Sequence, residues 1–449
     1  MALSNTTSCV LLEKWCKGKC TFNLLWKLTN ALGSTTYRSN NLELSCGFHQ
    51  ANNIKALCYS SRQHRGNHCC NLHSTSKCSS LKRQWKHSLS IALPVFVPSL
   101  SYYSIMPTKR KFSTSQKDEP DPSYLEIDPY KLVAEEMEGL ANDIKMCLKT
   151  EEPLLKTMSH YYFDGKGKTF RPLVSLLMSK ACNISSNIGD SVLEKQKTVA
   201  IVAEMIHTAS LVHDDVIDAS DTRRGQSSLN KMYGQRRSIL VGDYILSQAS
   251  IALARTGNPD VITILSSVLG DLVSGEFMQL GSKEDENERF SHYLKKTYKK
   301  TASLIANTCK AVAILGQCDE EMSELAYQYG KNLGIAFQLV DDLLDFISSD
   351  MVMGKPTAAD LKLGLATAPV LFAAQEYPDL HAMIMRRFTE EGDVEQARYF
   401  VAKSDGVQQT KLLALQHSKE AIKNVQDFAS SDAQRALIHL AKILLERKK

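Results

Sequence analysis

Two aspartate-rich segments, Asp214-Asp215-Val216-Ile217-Asp218 and Asp341-Asp342-Leu343-Leu344-Asp345, each lie inside an apolar, helix-patterned stretch of a 449-residue chain. In a helix the first and last aspartates of each DDxxD segment are four residues apart and share a face, with the middle one beside them. Three like charges on an apolar helix repel one another and resist burial. A chain carrying two such clusters needs a compensating cation at each, and hard divalent metals held by carboxylate oxygens are the obvious compensation. An EF-hand does not fit, because its ligands alternate along a loop with a glycine turn, whereas these carboxylates sit in unbroken apolar helix.

Apolar residues recur at three- and four-residue spacing through 130–149, 173–182, 194–218, 239–254, 261–280, 290–315 and 322–346. Strand-like alternation is almost absent. The pattern predicts an all-α fold, a single domain of many long helices over 128–449. Loops are marked by Gly165 and Gly167, by Gly225 and Gly234, by Gly257-Asn258-Pro259, and by 354–364. No solenoid period occurs, so the two aspartate segments are read as facing helices of one cavity rather than as a duplicated domain.

Residues 1–112 are of another kind. They hold two acidic side chains, Glu13 and Glu43, among many Lys, Arg, Ser and Asn, while the chain from about Asp118 onward is net acidic. The overall charge of +5 therefore averages two unlike parts and gives no warrant for a nucleic-acid partner. A basic, Ser-rich, acid-poor leader is the signature of an organelle transit peptide, here read as mitochondrial, with cleavage expected near Phe112 in Lys109-Arg110-Lys111-Phe112-Ser113 and a linker over 113–127. A retained disordered tail is the competing reading, and a start at Met106 another. Eight of the twelve cysteines fall in this leader without the paired spacing of a zinc site; Cys147, Cys182, Cys309 and Cys318 read as core thiols in a reducing compartment. The apolar run 91–100 is too short to span a bilayer and contains Pro94 and Pro98, so no transmembrane segment is expected.

Basic neighbours give the carboxylates their chemistry. The first aspartate helix runs into Arg223-Arg224-Gly225; Lys300-Thr301 and Gly354-Lys355-Pro356 flank the second. Acid groups that hold magnesium beside arginines that hold oxyanions suit a phosphorylated ligand. Diphosphate fits best, since magnesium takes one or two carboxylates and draws phosphate oxygens for the rest. Gly165-Lys166-Gly167-Lys168-Thr169-Phe170-Arg171-Pro172 suggests a second anion site at a helix start, although alone such a stretch is more often a solvated basic turn. A lone DDxxD is likewise more often a solvated acidic face, and a lone His207 a satisfied core histidine.

The ordered set GKxxRP (167–172), HDDxxDxSxxRRG (213–225), KTA (300–302), FQxxDDxxDF (337–346) and GKxxxxDLxxG (354–364) resembles the trans-isoprenyl diphosphate synthases over roughly 125–449. The segments 205–218, 275–290 and 360–373 carry the same resemblance. It implies an isoprenoid-synthase type helical bundle around a central cavity. It also implies that Asp214, Asp215, Asp218, Asp341, Asp342 and Asp345 bind three magnesium ions on the diphosphate of an allylic substrate, farnesyl or geranylgeranyl, aided by Arg223, Lys300 and Lys355. Lys168, Arg171, His207 and Arg224 would hold isopentenyl diphosphate, and Thr301 and Gln338 would face the carbocation. Animal members of the family work as heteromers with a second, degenerate polyprenyl synthase subunit, which makes this the catalytic chain.

A prenyl tail growing from the metal site runs beside the helix before Asp214, where Ala209 and Ser210 lie four to five residues back. Their small side chains imply an open path and a long product. A homomeric nonaprenyl or geranylgeranyl diphosphate synthase and a non-catalytic regulatory subunit are the rival readings. A terpene cyclase would replace the second aspartate motif with an Asn/Ser/Glu one.

Overall fold

The computed structural model describes residues 127–164, 169–280, 286–351 and 359–447, with the backbone alone described at 286–287 and 348–351. The expected leader, and with it Lys168 and Lys355, lies outside the described residues. The long helices are α1 (Phe170–Ser185), α2 (Glu194–Ile217), α3 (Gln235–Ala254), α4 (Pro259–Leu280), α5 (Glu286–Thr297), α6 (Ser303–Leu315), α7 (Glu320–Met351), α8 (Gly406–Gln426) and α9 (Asp432–Ile443).

The helices depart from the periodic pattern in two places. The expected helix over 130–149 breaks into Pro129–Leu132, Ala134–Met137 and Leu140–Cys147, the last entered through Gly139 at φ +77°, a left-handed conformation that glycine adopts without strain. The expected helix over 290–315 is continuous in direction but contains a π turn, Tyr298–Ala302, between α5 and α6. Such turns insert a residue and recur at functional sites. This one carries Lys300 and Thr301.

The register of α6 against its neighbours brings the two aspartate segments together. Gln196, near the start of α2, donates from Nε2 to the Val312 carbonyl near the end of α6, at 2.9 Å. On the other side Gly330 and Gly334 of α7 face Ala306 and Ala302, so rising numbers in α7 meet falling numbers in α6. A Cβ on Gly334 would stand 2.6 Å from the Ala302 Cα, so the small residue sets that crossing distance. Both aspartate helices therefore run antiparallel to α6 and parallel to each other. Their motifs emerge at the end of the bundle where the π turn begins.

One apolar cluster fills the space among α1, α2, α3, α6 and the first half of α7; a second, including Tyr293, Leu339, Phe346, Leu361 and Leu371, packs under the end of α7. Between α7 and α8, His417 Nδ1 hydrogen-bonds Asn332 Oδ1 at 2.8 Å. Burial, with Lys331 nearby, lowers the His417 pKa to about 4. The unfolded chain takes up this proton near pH 6.5 and the folded chain does not. Stability present above pH 6.5 should thus fall by about 1–3 kcal/mol as pH drops toward 4. Urea unfolding at pH 7 and pH 5 should show this loss in the wild type and a smaller one in His417→Gln.

Helix α4 is long and apolar enough by composition to cross a bilayer, the one such helix among the described residues, although no spanning segment was expected. It carries Asp260, Asp271 and Glu276, and packs against α6 and the π turn. The last two of these carboxylates pair with the π-turn lysines, Asp271 with Lys299 and Glu276 with Lys300.

Candidate active site

The end of α2 separates its three aspartates. Asp215 is 1 % exposed, and its Oδ1 accepts from Arg223 Nε at 2.9 Å and Nη2 at 2.6 Å. Its Oδ2 accepts from the Tyr162 hydroxyl at 3.3 Å. Asp214 and Asp218, one turn apart, stay open on the adjoining face, Asp214 half-buried and Asp218 exposed. Arg223 reaches Asp215 because β1 (Thr222–Arg223) and β2 (Gln226–Ser227) form a hairpin whose two-residue loop, Arg224–Gly225, has φ of +52° and +77°. Positive φ at both loop positions is the geometry that suits a tight hairpin, and Gly225 supplies half of it without strain. The turn sends successive arginines apart, Arg223 to the carboxylate and Arg224 toward a cavity of about 100 Å³ lined by Glu204, Thr169, Tyr162 and Phe163.

That cavity adjoins the expected isopentenyl site. Arg171 lies two residues past Thr169, whose φ of +40° is strained for a residue with a side chain. Arg171 Nε is buried and has no hydrogen-bond partner among the described residues, and burial lowers the group's pKa to about 10. Burial, with Arg171 and Arg224 adding to it, holds His207 well below the usual histidine range, hence neutral. Glu204, one turn before His207, is the buried counter-charge to both arginines. An orphaned guanidinium donor beside a second arginine is what an anion would complete.

The second motif repeats the division of labour. Asp342 is 2 % exposed; its Oδ2 accepts from the Tyr293 hydroxyl at 2.5 Å and from the Ala368 N–H at 3.4 Å. Its Oδ1 accepts from Gln338 Nε2 at 2.9 Å, and Gln338 Oε1 accepts in turn from the Thr301 hydroxyl at 2.8 Å. Thr301 and Gln338 are thereby locked in orientation at the mouth of the site. Asp341 is exposed, with Arg447 Nη1 3.6 Å away and the Arg447 guanidinium stacked 4.7 Å from the Phe337 ring. Asp345 accepts the N–H groups of Ala359 and Asp360 at 3.2 and 3.3 Å. Of the six aspartates expected to hold metal, the ligand-free chain buries Asp215 and Asp342 with both oxygens hydrogen-bonded and leaves Asp214, Asp218 and Asp341 more open.

Helix α4 holds the π turn from below. Lys299 Nζ lies 2.6 Å from Asp271 Oδ1, and the Ser303 hydroxyl donates to Asp271 Oδ2 at 2.6 Å. Lys300 Nζ donates to Glu276 Oε2 at 2.5 Å and Gln279 Oε1 at 3.0 Å. Two expected diphosphate cations, Arg223 and Lys300, are therefore already paired with carboxylates in the ligand-free chain. Asp271, Glu276, Asp360 and both tyrosine anchors were not assigned roles from sequence. Asp360 stood inside a recognised motif, and Glu276 and Gln279 lie three apart on one helix face; the tyrosines carried no local signal.

The carboxylates lack enough positive charge. Burial raises Asp214 to about 6, with Lys300 acting against it and Glu276 and Asp218 adding to it. Asp342 is likewise pushed up to about 6 by burial, and Asp360 to about 7 by burial and by Asp342 and Asp345. Among the described residues no three His, Cys, Asp or Glu side chains converge to hold a metal by themselves. Separated, half-buried carboxylates with raised pKa values fit hydrated divalent ions that take phosphate oxygens as their other ligands, rather than a protein cage.

Residues 152–401 match the polyprenyl synthetase family. The chain belongs to that family. It is a trans-prenyltransferase built on the all-α isoprenoid synthase fold. It is 59 % identical over 322 residues to the human all trans-polyprenyl-diphosphate synthase, covering 72 % of this chain and 78 % of that protein. Mitochondrial solanesyl-diphosphate synthase 1 of Oryza sativa is 42 % identical over 340 residues, covering 72 % of this chain and 79 % of that protein. Among solved structures, a Caulobacter crescentus polyprenyl synthase complexed with calcium and isoprenyl diphosphate superposes with a TM-score of 0.64 at 29 % identity, over 72 % of this chain and 97 % of that one.

Proposed function

We propose that this polyprenyl synthetase is the catalytic subunit of a mitochondrial, magnesium-dependent long-chain (decaprenyl) diphosphate synthase, which adds isopentenyl units head to tail to farnesyl or geranylgeranyl diphosphate for the ubiquinone side chain. The observation that carries the reading is the pairing of two parallel aspartate helices across the π turn, with the orphaned Arg171 guanidinium beside Arg224 as a separate anion site. The first site takes the allylic diphosphate, the second isopentenyl diphosphate.

Asp214, Asp218, Asp341 and Asp345 would hold magnesium, which when bound neutralises the charge that develops on the leaving diphosphate. Arg223 spends Nε and Nη2 on Asp215 and keeps Nη1 for the ligand. Lys300 exchanges Glu276 for phosphate oxygens. The Thr301–Gln338 pair faces the allylic cation with oxygens already oriented by Asp342, so no reorganisation is needed as charge appears. Arg171, neutral His207 and Arg224, with Lys168, fix the isopentenyl diphosphate. Ala209 is wholly buried and Ser210 half-buried, its hydroxyl turned back to the His207 carbonyl, so neither raises a bulky floor under Asp214.

The partner surface is supported by α4. Phe277 is 71 % exposed, and Val273 and Leu280 of the same helix and Ile239, Leu240 and Ile251 of α3 are also exposed. Exposed apolar side chains of this kind suit the interface with a second polyprenyl synthase subunit. Residues 1–112 would direct the chain to mitochondria and be removed near Phe112. The deciding experiment is chromatography of the prenyl product made by the chain alone and with the second subunit. A C50 product only from the pair is expected; a full-length product from the chain alone would overturn the heteromer, and a C20 product the chain length.

A further inference from the structure

Each aspartate motif faces a lysine, and only one of the two is paired. Lys300 belongs to the first motif: its charge acts on Asp214 and Asp218, and its ammonium is held by Glu276 and Gln279. Lys296, one turn earlier on α5, belongs to the second. Its ammonium sits 5.5 Å from the centre of the Tyr293 ring, and the Tyr293 hydroxyl is 2.5 Å from Asp342. Its charged neighbours are Asp342, Asp360, Glu276 and Lys300. Among the described residues no carboxylate comes within ion-pair distance of it and no acceptor hydrogen-bonds it.

An unpaired, half-buried ammonium is costly to keep. The one here opens on a cavity of about 70 Å³ that it lines with Gln279, Arg289, His292 and residues 364–366. Gln279 is also the acceptor of Lys300, so the cavity and the first motif share a wall. Arg223 and Lys300 already carry carboxylate partners, whereas an anion could take the Lys296 ammonium without displacing one.

We propose that Lys296 is a substrate-binding residue: its ammonium takes oxygens of the allylic diphosphate on the side of the second aspartate motif, and of the inorganic diphosphate that remains after the prenyl group has left. The inference rests on reading the two motifs as a diphosphate clamp. It adds a cation that the sequence motifs do not contain, standing to Asp342 and Asp360 as Lys300 stands to Asp214 and Asp218.

The test uses Lys296→Met and Lys296→Arg in the full chain, assembled with its second subunit where turnover requires one. Losing a charged hydrogen bond to phosphate should raise KM for farnesyl diphosphate about tenfold to a hundredfold in Lys296→Met. KM for isopentenyl diphosphate should stay unchanged, and the unfolding midpoint should stay the same or rise, because the cost of the unpaired ammonium is removed. Inorganic diphosphate should inhibit more weakly by the same factor, and Lys296→Arg should recover most of both effects. Calorimetric titration of magnesium diphosphate gives the same comparison without turnover. Unaltered farnesyl diphosphate KM and diphosphate binding would overturn the proposal, as would equal shifts for both substrates accompanied by a lower midpoint, which mark a structural role. The clamp itself stands or falls on Asp214→Ala, so failure of the two ideas is distinguishable.

Discussion

Asp214→Ala is expected to lower kcat on the order of 10³-fold or more while leaving the unfolding midpoint at pH 7 unchanged or slightly higher. The Asp214 side chain makes no hydrogen bond or ion pair with another described residue; its carboxyl is half-buried, and burial pushes its pKa up to about 6. The folded chain therefore binds this proton more tightly than the unfolded chain, and the ionised group weighs against the ligand-free fold as pH rises from about 4 to 6. Removing it takes away that penalty together with a metal ligand. Incorporation of labelled isopentenyl diphosphate and urea unfolding of the same preparation separate the two effects. Wild-type turnover in Asp214→Ala would sink the enzyme reading and favour a scaffold subunit that has lost its chemistry.

Asp215→Ala, one residue on, should show the reverse emphasis. Here the carboxylate is buried and bonded to Arg223 and Tyr162, so truncation leaves a half-exposed guanidinium and a phenol without their acceptor. Breaking such a pair costs about 2–4 kcal/mol, scaled below the fully buried case because Arg223 reaches solvent. Activity should fall as well, because Arg223 and the Arg224–Gly225 turn lose their anchor. Asp215→Asn, which keeps one acceptor, should lose less stability than the alanine variant. A stable Asp215→Ala with activity as low as Asp214→Ala would instead place residue 215 among the metal ligands.

The contrast between these neighbours shows where local pattern stops. Both motifs could be placed on helices because their apolar flanks repeat at the helical period, and residues 214 and 218 necessarily share a face, as do 341 and 345. Nothing local distinguishes Asp215 from Asp214. The distinction arises when Tyr162, 53 positions away, and the hairpin arginine close over one carboxylate and leave the other open. Tyr293, 49 positions from Asp342, does the same for the second motif. The π turn at Tyr298–Ala302 was equally hidden, since an inserted residue leaves the helical period of its flanks intact.

Lys296 had a faint signal, a lysine one turn before Lys300. Its lack of an ion pair could not be read, because lysines on helices find partners that depend on which helix lies opposite. The same holds for Lys300, whose pairing with Glu276 and Gln279 follows from the packing of α4 under the π turn.

The sequence by itself determined that the chain is helical, that two carboxylate clusters stand on long apolar helices, and that basic segments accompany them in the order of the polyprenyl synthetases. These follow from the short-range rules of helix period, breaker residues and charge. Tertiary structure alone decided which aspartates remain open and which become anchors, and which of the described cations are already taken. A carboxylate's role depends on its desolvation and its partners, and both are set by residues that only the packing of parallel α2 and α7 against α6 brings within a few ångströms.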